Sequence, residues 1–328
     1  MPKTKTKTKT KTKTKTKKRK IQSQTKSLFG INDCHKPIRN TKKSYAFNKK
    51  TKPYNLNSKS KPYNYPNIIL FPHKLGQTKH GVDKAPKYLD KFINHSAHKV
   101  STVKNQGDLF KNLNSLYSAN NKIKGSRINI GGDHSMAIAT IGYTVNKYPN
   151  AKVIYFDSHA DLNTYDESGS KHYHGMPLSF ATGLDSDKKF KFIKNKLKFN
   201  NLLYIGSRCW DIFERDEALK HNIRFLDPKD INNHFDDSMN KIMEFVGNSP
   251  VHVSFDVDSI DPKYIPSTGT PVKHGVDLKN AIKILDNLNN NSNIVNMDIT
   301  ELNMDLGTKS DAEKSGKNTV ELFNKFIN

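Results

Sequence analysis

The sequence predicts an α/β fold in which helices cover both faces of a parallel β-sheet. Short apolar runs such as residues 153–156 recur along the chain, and each has the length of a buried strand. Segments with helical periodicity lie between these runs, and this alternation is typical of a parallel sheet. Histidine or aspartate follows three of the runs, at the strand ends where parallel α/β proteins assemble their sites.

The order of the elements follows from the same periodicities, and right-handed connections place the loops after the strands along one edge of the sheet. At least seven strands are predicted, at residues 68–71, 128–130, 153–156, 202–205, 223–226, 251–255 and 294–298. Helices are predicted at residues 86–92, 108–116, 135–147, 239–246, 278–288 and 319–326. The first of these helices opens at a proline, which helices favour in their first turn.

Asp157, His159 and Asp161 occupy every second position after the run at residues 153–156. In an extended backbone, side chains two and four residues apart point the same way. Three such groups on one face are costly unless a cation neutralises the carboxylates. On its own, the pentapeptide also fits a polar strand-to-helix loop with an N-capping residue.

Two further strand ends favour a metal site. His134 follows the run at residues 128–130, and Asp256 and Asp258 follow the run at residues 251–255. The three strand ends together offer two imidazoles and four carboxylates, enough for two metal ions that share carboxylates. An oxygen-rich set with two histidines and no thiolate suits Mn²⁺ better than structural zinc.

These stretches resemble a known family. GGDHS at residues 131–135, DSHAD at 157–161 and SFDVDSIDP at 254–262 are similar to the three metal motifs of the ureohydrolases, the arginase and agmatinase superfamily. Residues 75–89, LGQTKHGVDKAPKYL, resemble the N-terminal signature of that superfamily. The resemblance implies a three-layer α/β/α sandwich around an eight-stranded parallel sheet.

The resemblance also implies roles in a two-manganese centre. One Mn²⁺ would be held by His134, Asp157, Asp161 and Asp256, and the other by Asp157, His159, Asp256 and Asp258. Two cations can lower the pKa of a shared water from ~15.7 toward ~7, which supplies hydroxide at neutral pH.

Two side chains would move protons. Asp161 would pass a proton to the leaving amine, and His174 matches the proton-shuttling histidine of arginases. His172 lies two residues away, and we interpret it as a loop histidine without a catalytic role. Arginases usually carry asparagine at that position, so His172 is a departure that affects the positioning of the substrate.

The substrate contacts implied by the resemblance fall into three sets. Glu301 and Thr270 would contact the guanidinium group, because a carboxylate offers two acceptors in the plane of the guanidinium donors. Contacts to an α-carboxylate fall on Asn163, Ser168 and Ser170, and contacts to an α-amine on Asp211 and Glu214. Residues 212–213 are bulkier than the usual Pro-Gly and would reshape the rim of the site.

These contacts predict an arginase, which hydrolyses L-arginine to L-ornithine and urea. One alternative is an agmatinase or another hydrolase of guanidino substrates. A second alternative, from a different class, is a catalytically degenerate arginase-like protein with a polyanion-binding tail. By resemblance we expect a homo-oligomer, either a trimer or a hexamer.

The chain of 328 residues carries a net charge of +24, and most of that charge lies at the N-terminus. The first 60 residues contain 20 Lys or Arg residues and one acid, and they open with seven Lys-Thr repeats. Dense like charge without apolar periodicity predicts disorder. We therefore expect a disordered Lys-rich extension at residues 1–62 and a catalytic domain at residues 63–328.

The extension has three interpretations: a solvated low-complexity tail, a nuclear-import signal, or an arm that contacts polyanions. It has no apolar region of the kind found in secretory signals, and no run approaches 18 apolar residues. We therefore expect a cytoplasmic protein without membrane contact, with a nuclear location as the alternative that the basic tail suggests.

Overall fold

The computed structural model describes residues 67–328, and its centre is a single sheet of eight strands. The predicted extension at residues 1–62 lies outside the described residues. The strands are β1 (Asn67–Phe71), β2 (Lys99–Thr102), β3 (Arg127–Gly131), β4 (Lys152–Phe156), β5 (Leu202–Ile205), β6 (Arg224–Leu226), β7 (Pro250–Asp256) and β8 (Asn293–Thr300). Their order across the sheet is β2-β1-β3-β8-β7-β4-β5-β6, and every neighbouring pair is parallel.

Nine α-helices connect or flank these strands within the described residues. They are α1 (Ala85–Asp90), α2 (Leu109–Lys122), α3 (Ala137–Lys147), α4 (Pro177–Thr182), α5 (Ile212–Lys220), α6 (Pro228–Asn233), α7 (Phe235–Val246), α8 (Leu278–Asn291) and α9 (Lys309–Ile327). Among residues 67–328, no helix combines the length and the apolar character needed to cross a bilayer.

The helices form two layers because alternate strand residues face opposite sides of the sheet. Ile68 of β1 lies in a core with apolar residues of α1 and of α6 to α9. Its neighbour Ile69 lies in a core on the other face with residues of α2 and α3, and a third cluster on that face reaches α4 and α5. The predicted three-layer sandwich with an eight-stranded parallel sheet is confirmed.

The predicted strands and helices are all present, and one further strand and three further helices were not predicted. The missed strand, β2, lies at the sheet edge and pairs with β1 alone, and three of its four residues are exposed. Because β2 has no buried face, its sequence contains neither an apolar run nor an alternation of apolar and polar residues, and these are the patterns that predict strands. The missed helices α4, α5 and α6 have six, nine and six residues.

Candidate metal centre and substrate site

The chain after β3 brings His134 to the sheet edge by a close backbone approach. A Cβ atom at Gly132 would lie 1.8 Å from the carbonyl oxygen of His73, so only glycine fits there. The next residue, Asp133, accepts hydrogen bonds from the backbone N–H groups of Ser135 (3.0 Å) and Gly76 (2.9 Å). These bonds fix the start of the short 3₁₀ turn His134–Met136 and dock the preceding loop against it.

His134 is the centre of the first metal-ligand group. Its Nδ1 atom lies 2.9 Å from Asp157 Oδ2, 3.3 Å from Asp161 Oδ2 and 3.3 Å from Asp256 Oδ2. The residues come from the ends of β3, β4 and β7, and all four are buried. His134, Asp157 and Asp256 place one ligand atom each within 4.8 Å of one another, so they could hold a metal ion.

His159 is the centre of the second group. Its Nδ1 atom lies 3.1 Å from Asp258 Oδ2 and 3.4 Å from Asp157 Oδ1, and these three residues also meet the distance requirement for a shared ion. The two groups therefore share Asp157. Asp256 Oδ1 accepts from the backbone N–H of Asp258 at 2.8 Å, which joins the groups at the end of β7.

The backbone after Asp157 differs from the extended course that the sequence analysis assumed. β4 ends at Phe156, and Asp161 has a φ of 52°, in the left-handed region. The turn nevertheless brings Asp161 Oδ2 to His134, where it accepts a hydrogen bond from Tyr155 Oη at 2.8 Å. Side-chain alternation therefore does not explain the position of Asp161.

Tyr155 was not identified from the sequence. Its ring stacks on the His134 imidazole with centroids 4.7 Å apart and an interplanar angle of 9°, and its hydroxyl lies 3.2 Å from His134 Nδ1. Tyr155 is fully buried, as expected for a residue within an apolar strand. The sequence does contain a signal that could have identified it, a tyrosine in the middle of a predicted buried strand. A buried Tyr hydroxyl needs a hydrogen-bond partner, which indicates a polar group nearby.

A buried polar chain behind His134 was also missed. His134 Nε2 lies 2.9 Å from Ser254 Oγ, and Ser254 donates to Asp298 Oδ2 at 3.4 Å. The same Asp298 oxygen lies 2.9 Å from His252 Nε2, and Asn129 donates to the other oxygen at 2.9 Å. Hydrogen bonding of the second ring nitrogen is how proteins orient an imidazole toward a metal.

Crowded carboxylates determine the charge of the site. Burial, followed by the charges of Asp161 and Asp258, raises the pKa of Asp157 to about 6. Burial and the charges of Asp258 and Asp157 raise the pKa of Asp256 well above its ordinary value. Burial raises the pKa of Asp258 as well, but the charge and hydrogen bond of His159 outweigh this and hold it below its ordinary value.

The pKa values of both imidazoles, His134 and His159, are raised as well, because their protonated forms face the carboxylates. Burial lowers the pKa of His134, but hydrogen bonds to Asp157, Asp161 and Asp256 raise it well above its ordinary value. The site therefore gathers negative charge that protons or cations must neutralise.

The residues fit a divalent cation. Oxygen ligands lie ~2.0–2.6 Å from Mg²⁺ or Ca²⁺, so neighbouring ligands of one ion are ~3 Å apart, and the distances around His134 and His159 are of this size. The donors are imidazole nitrogens and carboxylate oxygens without thiolate, a set that Mn²⁺ accepts. Each group thus combines suitable donors with a charge that a cation would balance.

Glu301 lies at the same edge, directly after β8, and its own φ of 66° turns the chain there. Its Oε1 atom accepts from the backbone N–H of His134 at 2.8 Å and lies 3.1 Å from His174 Nδ1. Its Oε2 atom faces Gly269, where an added Cβ would lie 3.6 Å away. The neighbouring Thr270 donates to Asp258 Oδ2 at 3.3 Å, so the loop after β7 connects Glu301 to the second group.

The two neighbouring histidines have different surroundings. Burial lowers the pKa of His174, but the hydrogen bond and charge of Glu301 raise it above its ordinary value. The ring of His172 lies 5.9 Å from that of His174, and burial, with the charge of His174, lowers its pKa. Only His174 contacts a site carboxylate.

Three further predicted residues, Asn163, Asp211 and Glu214, connect the chain after β4 to the start of α5. Asn163 Nδ2 donates to Asp211 Oδ2 at 2.8 Å. Glu214 is buried and uses both oxygens on backbone groups, Oε1 on Leu162 N–H (2.9 Å) and Oε2 on Asp211 N–H (2.9 Å). Asp211 and Glu214 form the capping box of α5. Glu214 therefore has a structural use that its assignment as a substrate contact did not include.

Ser168 and Ser170 lie in residues 163–172, which we name the Ser168 loop. Ser168 Oγ accepts from Lys171 N–H at 3.1 Å, and Ser170 Oγ accepts from His172 N–H at 3.2 Å. The two hydroxyl oxygens are 3.5 Å apart. Each hydroxyl accepts from the backbone, and at most one of the two protons is used in the bond between them, so the pair keeps a proton for donation.

Comparison with known proteins agrees with this geometry. The model of the arginase family matches residues 67–327. The arginase of Entamoeba histolytica is 32% identical over 285 residues, which span 77% of this chain and 94% of the relative. The arginase of Saccharomyces cerevisiae is 30% identical over 292 residues, spanning 73% and 87%.

A solved structure gives the same result. The crystal structure of Entamoeba histolytica arginase in complex with L-ornithine aligns with a TM-score of 0.72 and 27% identity, and the alignment covers 80% of this chain and 98% of that one.

A parallel α/β sandwich that gathers imidazoles and carboxylates at one sheet edge has the side chains that an enzyme of the α/β class uses to hold metal ions. The match over residues 67–327, together with the relatives of 30–32% identity, shows the family. The chain belongs to the arginase family, and it is a ureohydrolase.

Proposed function

We propose that this ureohydrolase cleaves the guanidino group of L-arginine to give L-ornithine and urea, with two Mn²⁺ ions. The observation that carries the proposal is the convergence of two ligand groups that share Asp157 with the Glu301–His174 pair at the same sheet edge. The L-ornithine in the Entamoeba histolytica arginase structure supports the choice of substrate, since ornithine is the amine product of that reaction.

The metal ions would be held by the residues predicted for them. One ion would take His134, Asp157, Asp161 and Asp256, and the other Asp157, His159, Asp256 and Asp258. When bound, two divalent cations supply Lewis acidity, which lowers the pKa of a coordinated water from ~15.7 toward ~7.

Glu301 would bind and orient the guanidinium group. Its Oε1 atom is held by His134 N–H and faces His174, so the carboxylate plane is fixed before substrate arrives. The space at Gly269 leaves Oε2 accessible for a planar donor pair. Thr270 would complete this contact from the neighbouring loop.

Asp161 and His174 would move protons. The reaction joins the oxygen of a water molecule to the guanidinium carbon and breaks the bond from that carbon to the chain nitrogen. The attacking water gives up one proton, and the departing amine needs one. The Asp161 carboxylate, held by Tyr155 Oη, would accept the proton of the water and pass it to the amine. The His174 side chain is 23% exposed and hydrogen-bonded to Glu301, so it can exchange protons between the site and solvent.

An α-amino acid would be recognised by two polar sets. Ser168 and Ser170 offer donors to an α-carboxylate, and Asn163 would join them. Asp211 offers a carboxylate to the α-amine, and Glu214 would act beside it, through the backbone contacts that hold Asp211. This division favours L-arginine over agmatine, which has no carboxylate.

A substrate panel tests the proposal. Purified protein with added Mn²⁺ should release urea from L-arginine with a far larger kcat/KM than from agmatine. Asp211→Asn should raise the KM for L-arginine, whereas Asp216→Asn, an exposed acid on the same helix, should not. A larger kcat/KM for agmatine would refute the arginase assignment. Absence of urea release from both substrates would favour the alternative of a catalytically degenerate arginase-like protein.

The remaining expectations stay predictions. They are the extension at residues 1–62 and the catalytic domain at 63–328, a trimer or hexamer, a polyanion contact through the extension, and a cytoplasmic location with the nucleus as the alternative.

A further inference from the structure

Lys171 has an unusual backbone within the Ser168 loop. Its φ is 60°, in the left-handed region that residues other than glycine or asparagine rarely adopt. It lies between Ser170 and His172, and its side chain is not part of the proposed chemistry. A non-glycine residue in this conformation needs surrounding contacts that hold it there.

The Lys171 side chain supplies such contacts. Its ammonium donates to the backbone carbonyl oxygens of Tyr165 and Asp166, the latter at 3.1 Å. The same ammonium lies 5.1 Å from the centroid of the Tyr165 ring. One side chain therefore ties the end of the loop to its beginning, and we name this arrangement the Lys171 clasp.

The clasp encloses the two hydroxyls assigned to an α-carboxylate. Ser168 and Ser170 both lie between Tyr165 and Lys171, and both accept from backbone N–H groups at the clasped end of the loop. Residues 165–167 and 169–171 are exposed, whereas Ser168 is buried between them. The position of the Ser170 hydroxyl, and of the backbone N–H groups that both hydroxyls accept from, thus depends mainly on contacts within the loop.

We propose that Lys171 is a positioning residue that sets Ser168 and Ser170 to receive the α-carboxylate of the substrate. This inference rests on the proposed function. The clasp should affect binding of molecules that carry the carboxylate and should leave turnover unchanged, because the ligand groups and the Glu301–His174 pair lie outside the loop.

The test compares Lys171→Met, which keeps the aliphatic stem and removes the ammonium, with the conservative variant Lys171→Arg. The matched control is Lys263→Met. Lys263 also lies over a tyrosine ring, 4.8 Å from the Tyr264 centroid, and its ammonium bonds Asp277 outside the Ser168 loop. Steady-state kinetics with L-arginine give kcat and KM. Calorimetry with the manganese-loaded protein gives the Kd of L-ornithine, 5-aminovalerate and putrescine.

We expect Lys171→Met to raise the KM for L-arginine and the Kd of L-ornithine and 5-aminovalerate about three- to tenfold, the size of the net effect of one ordinary hydrogen bond, because the Lys171 ammonium is exposed to solvent. Its kcat and its Kd for putrescine, which has no carboxylate, should stay within about twofold of wild type, the scatter of surface substitutions. Lys171→Arg and Lys263→Met should resemble wild type.

Lys171→Gly separates the clasp from the backbone conformation, because glycine adopts a φ of 60° without strain. It should behave like Lys171→Met. A Lys171→Gly variant with wild-type KM, or a Lys171→Met variant whose Kd for putrescine rises as much as that for L-ornithine, would overturn the proposal. Wild type without urea release from L-arginine would refute the proposed function, whereas normal wild-type kinetics with an unchanged Lys171→Met KM would refute the clasp alone.

Discussion

Asp157 uses both carboxylate oxygens within the site. Oδ2 faces His134 at 2.9 Å, and Oδ1 faces His159 and also accepts from His159 N–H at 2.7 Å. The side chain is buried and belongs to both ligand groups. An amide in its place would present an NH₂ group to one of the two groups, and it would carry no charge.

We therefore expect Asp157→Asn to lose most of its bound manganese and its urea release. Metal analysis after gel filtration and a urea assay measure the two effects. Glu167→Gln is the control, since Glu167 is an exposed acid in the Ser168 loop. An Asp157→Asn protein with full metal content and wild-type turnover would contradict the model of a shared carboxylate.

His174 and His172 provide a comparison between two nearby imidazoles. We expect His174→Ala to lower kcat by ~10²–10⁴-fold, the usual contribution of a general acid–base group. His172→Ala should change mainly the KM, because its ring lies 5.9 Å from His174 and contacts no site carboxylate among the described residues. Steady-state kinetics with L-arginine measure kcat and KM for both variants. A larger loss of kcat in His172→Ala than in His174→Ala would show that the proton shuttle was assigned to the wrong histidine.

The spacing of Asp211 and Glu214 fits two interpretations, a pair of substrate contacts and a capping box. An acid followed three residues later by Glu is the sequence signature of a capping box at a helix N-terminus. Interpreted as contacts to the substrate amine, the pair did not predict helix α5, which starts at Ile212. Burial raises the pKa of Glu214 to about 8, although backbone N–H groups of Asp211 and Leu162 act against this. Asp211 is thus the better candidate for a charged contact.

At the scale of the elements, strands β3, β7 and β8 build the support of His134. The register places Ser254 of β7 opposite Asp298 of β8, and Asn129 of β3 opposite the same aspartate. Asp298 is fully buried, and its oxygens receive donors from three neighbouring side chains on these strands. This network fixes the ring of His134 through Ser254 Oγ.

We expect Ser254→Ala to weaken manganese binding ~10- to 100-fold, because the imidazole loses the partner that orients it. Titration of the metal-free protein with Mn²⁺ measures the change. Ser238→Ala is a matched control, since Ser238 is also buried and its hydroxyl has no hydrogen-bond partner within residues 67–328. Equal manganese affinity in both variants would show that Ser254 does not orient His134.

Strand ends explain why much of the site could be predicted. Buried strands leave apolar runs in the sequence, and polar residues directly after them must lie at one edge of a parallel sheet. His134, Asp157 and Asp256 were found in this way. Tyr155 and Ser254 were missed because their roles depend on strand register, and a single strand does not contain the register of its neighbours.

At the scale of the whole molecule, the crowded carboxylates link metal binding to stability. The pKa of Asp157 in the metal-free fold is raised to about 6, so the folded state binds more protons than the unfolded chain above the ordinary carboxyl range. Stability therefore falls as pH rises through that window. The raised pKa values of His134 and His159 act in the same direction, since the stability from their protonated forms is lost at higher pH.

We therefore expect the Tm of metal-free protein to fall between pH 5.5 and 8. Added Mn²⁺ should raise the Tm more at pH 8, because ligands must be deprotonated to bind and the cation replaces the lost protons. Differential scanning fluorimetry with and without chelator measures both effects. An equal Mn²⁺ shift at the two pH values would contradict this account of the charge.

The extension at residues 1–62 differs from the rest of the molecule in charge. Of the 55 Lys and Arg residues, 20 lie in the first 60 positions, together with one of the 31 acids. All eight strands and every predicted site residue lie within residues 67–328. We therefore expect a chain without residues 1–62 to retain its kcat/KM for L-arginine and its Tm within a few degrees.

The same deletion should remove most binding to nucleic acid, because Lys and Arg contacts to phosphates gain their free energy from released counterions. Binding by the full chain should weaken steeply as salt rises, whereas urea release should change little. Fluorescence anisotropy with a labelled duplex at two salt concentrations measures this, and replacing the lysines of the seven Lys-Thr repeats by glutamine is the charge control. Binding that survives the deletion would place the polyanion contact on residues 67–328, and loss of hydrolysis on deletion would show that the extension contributes to the fold.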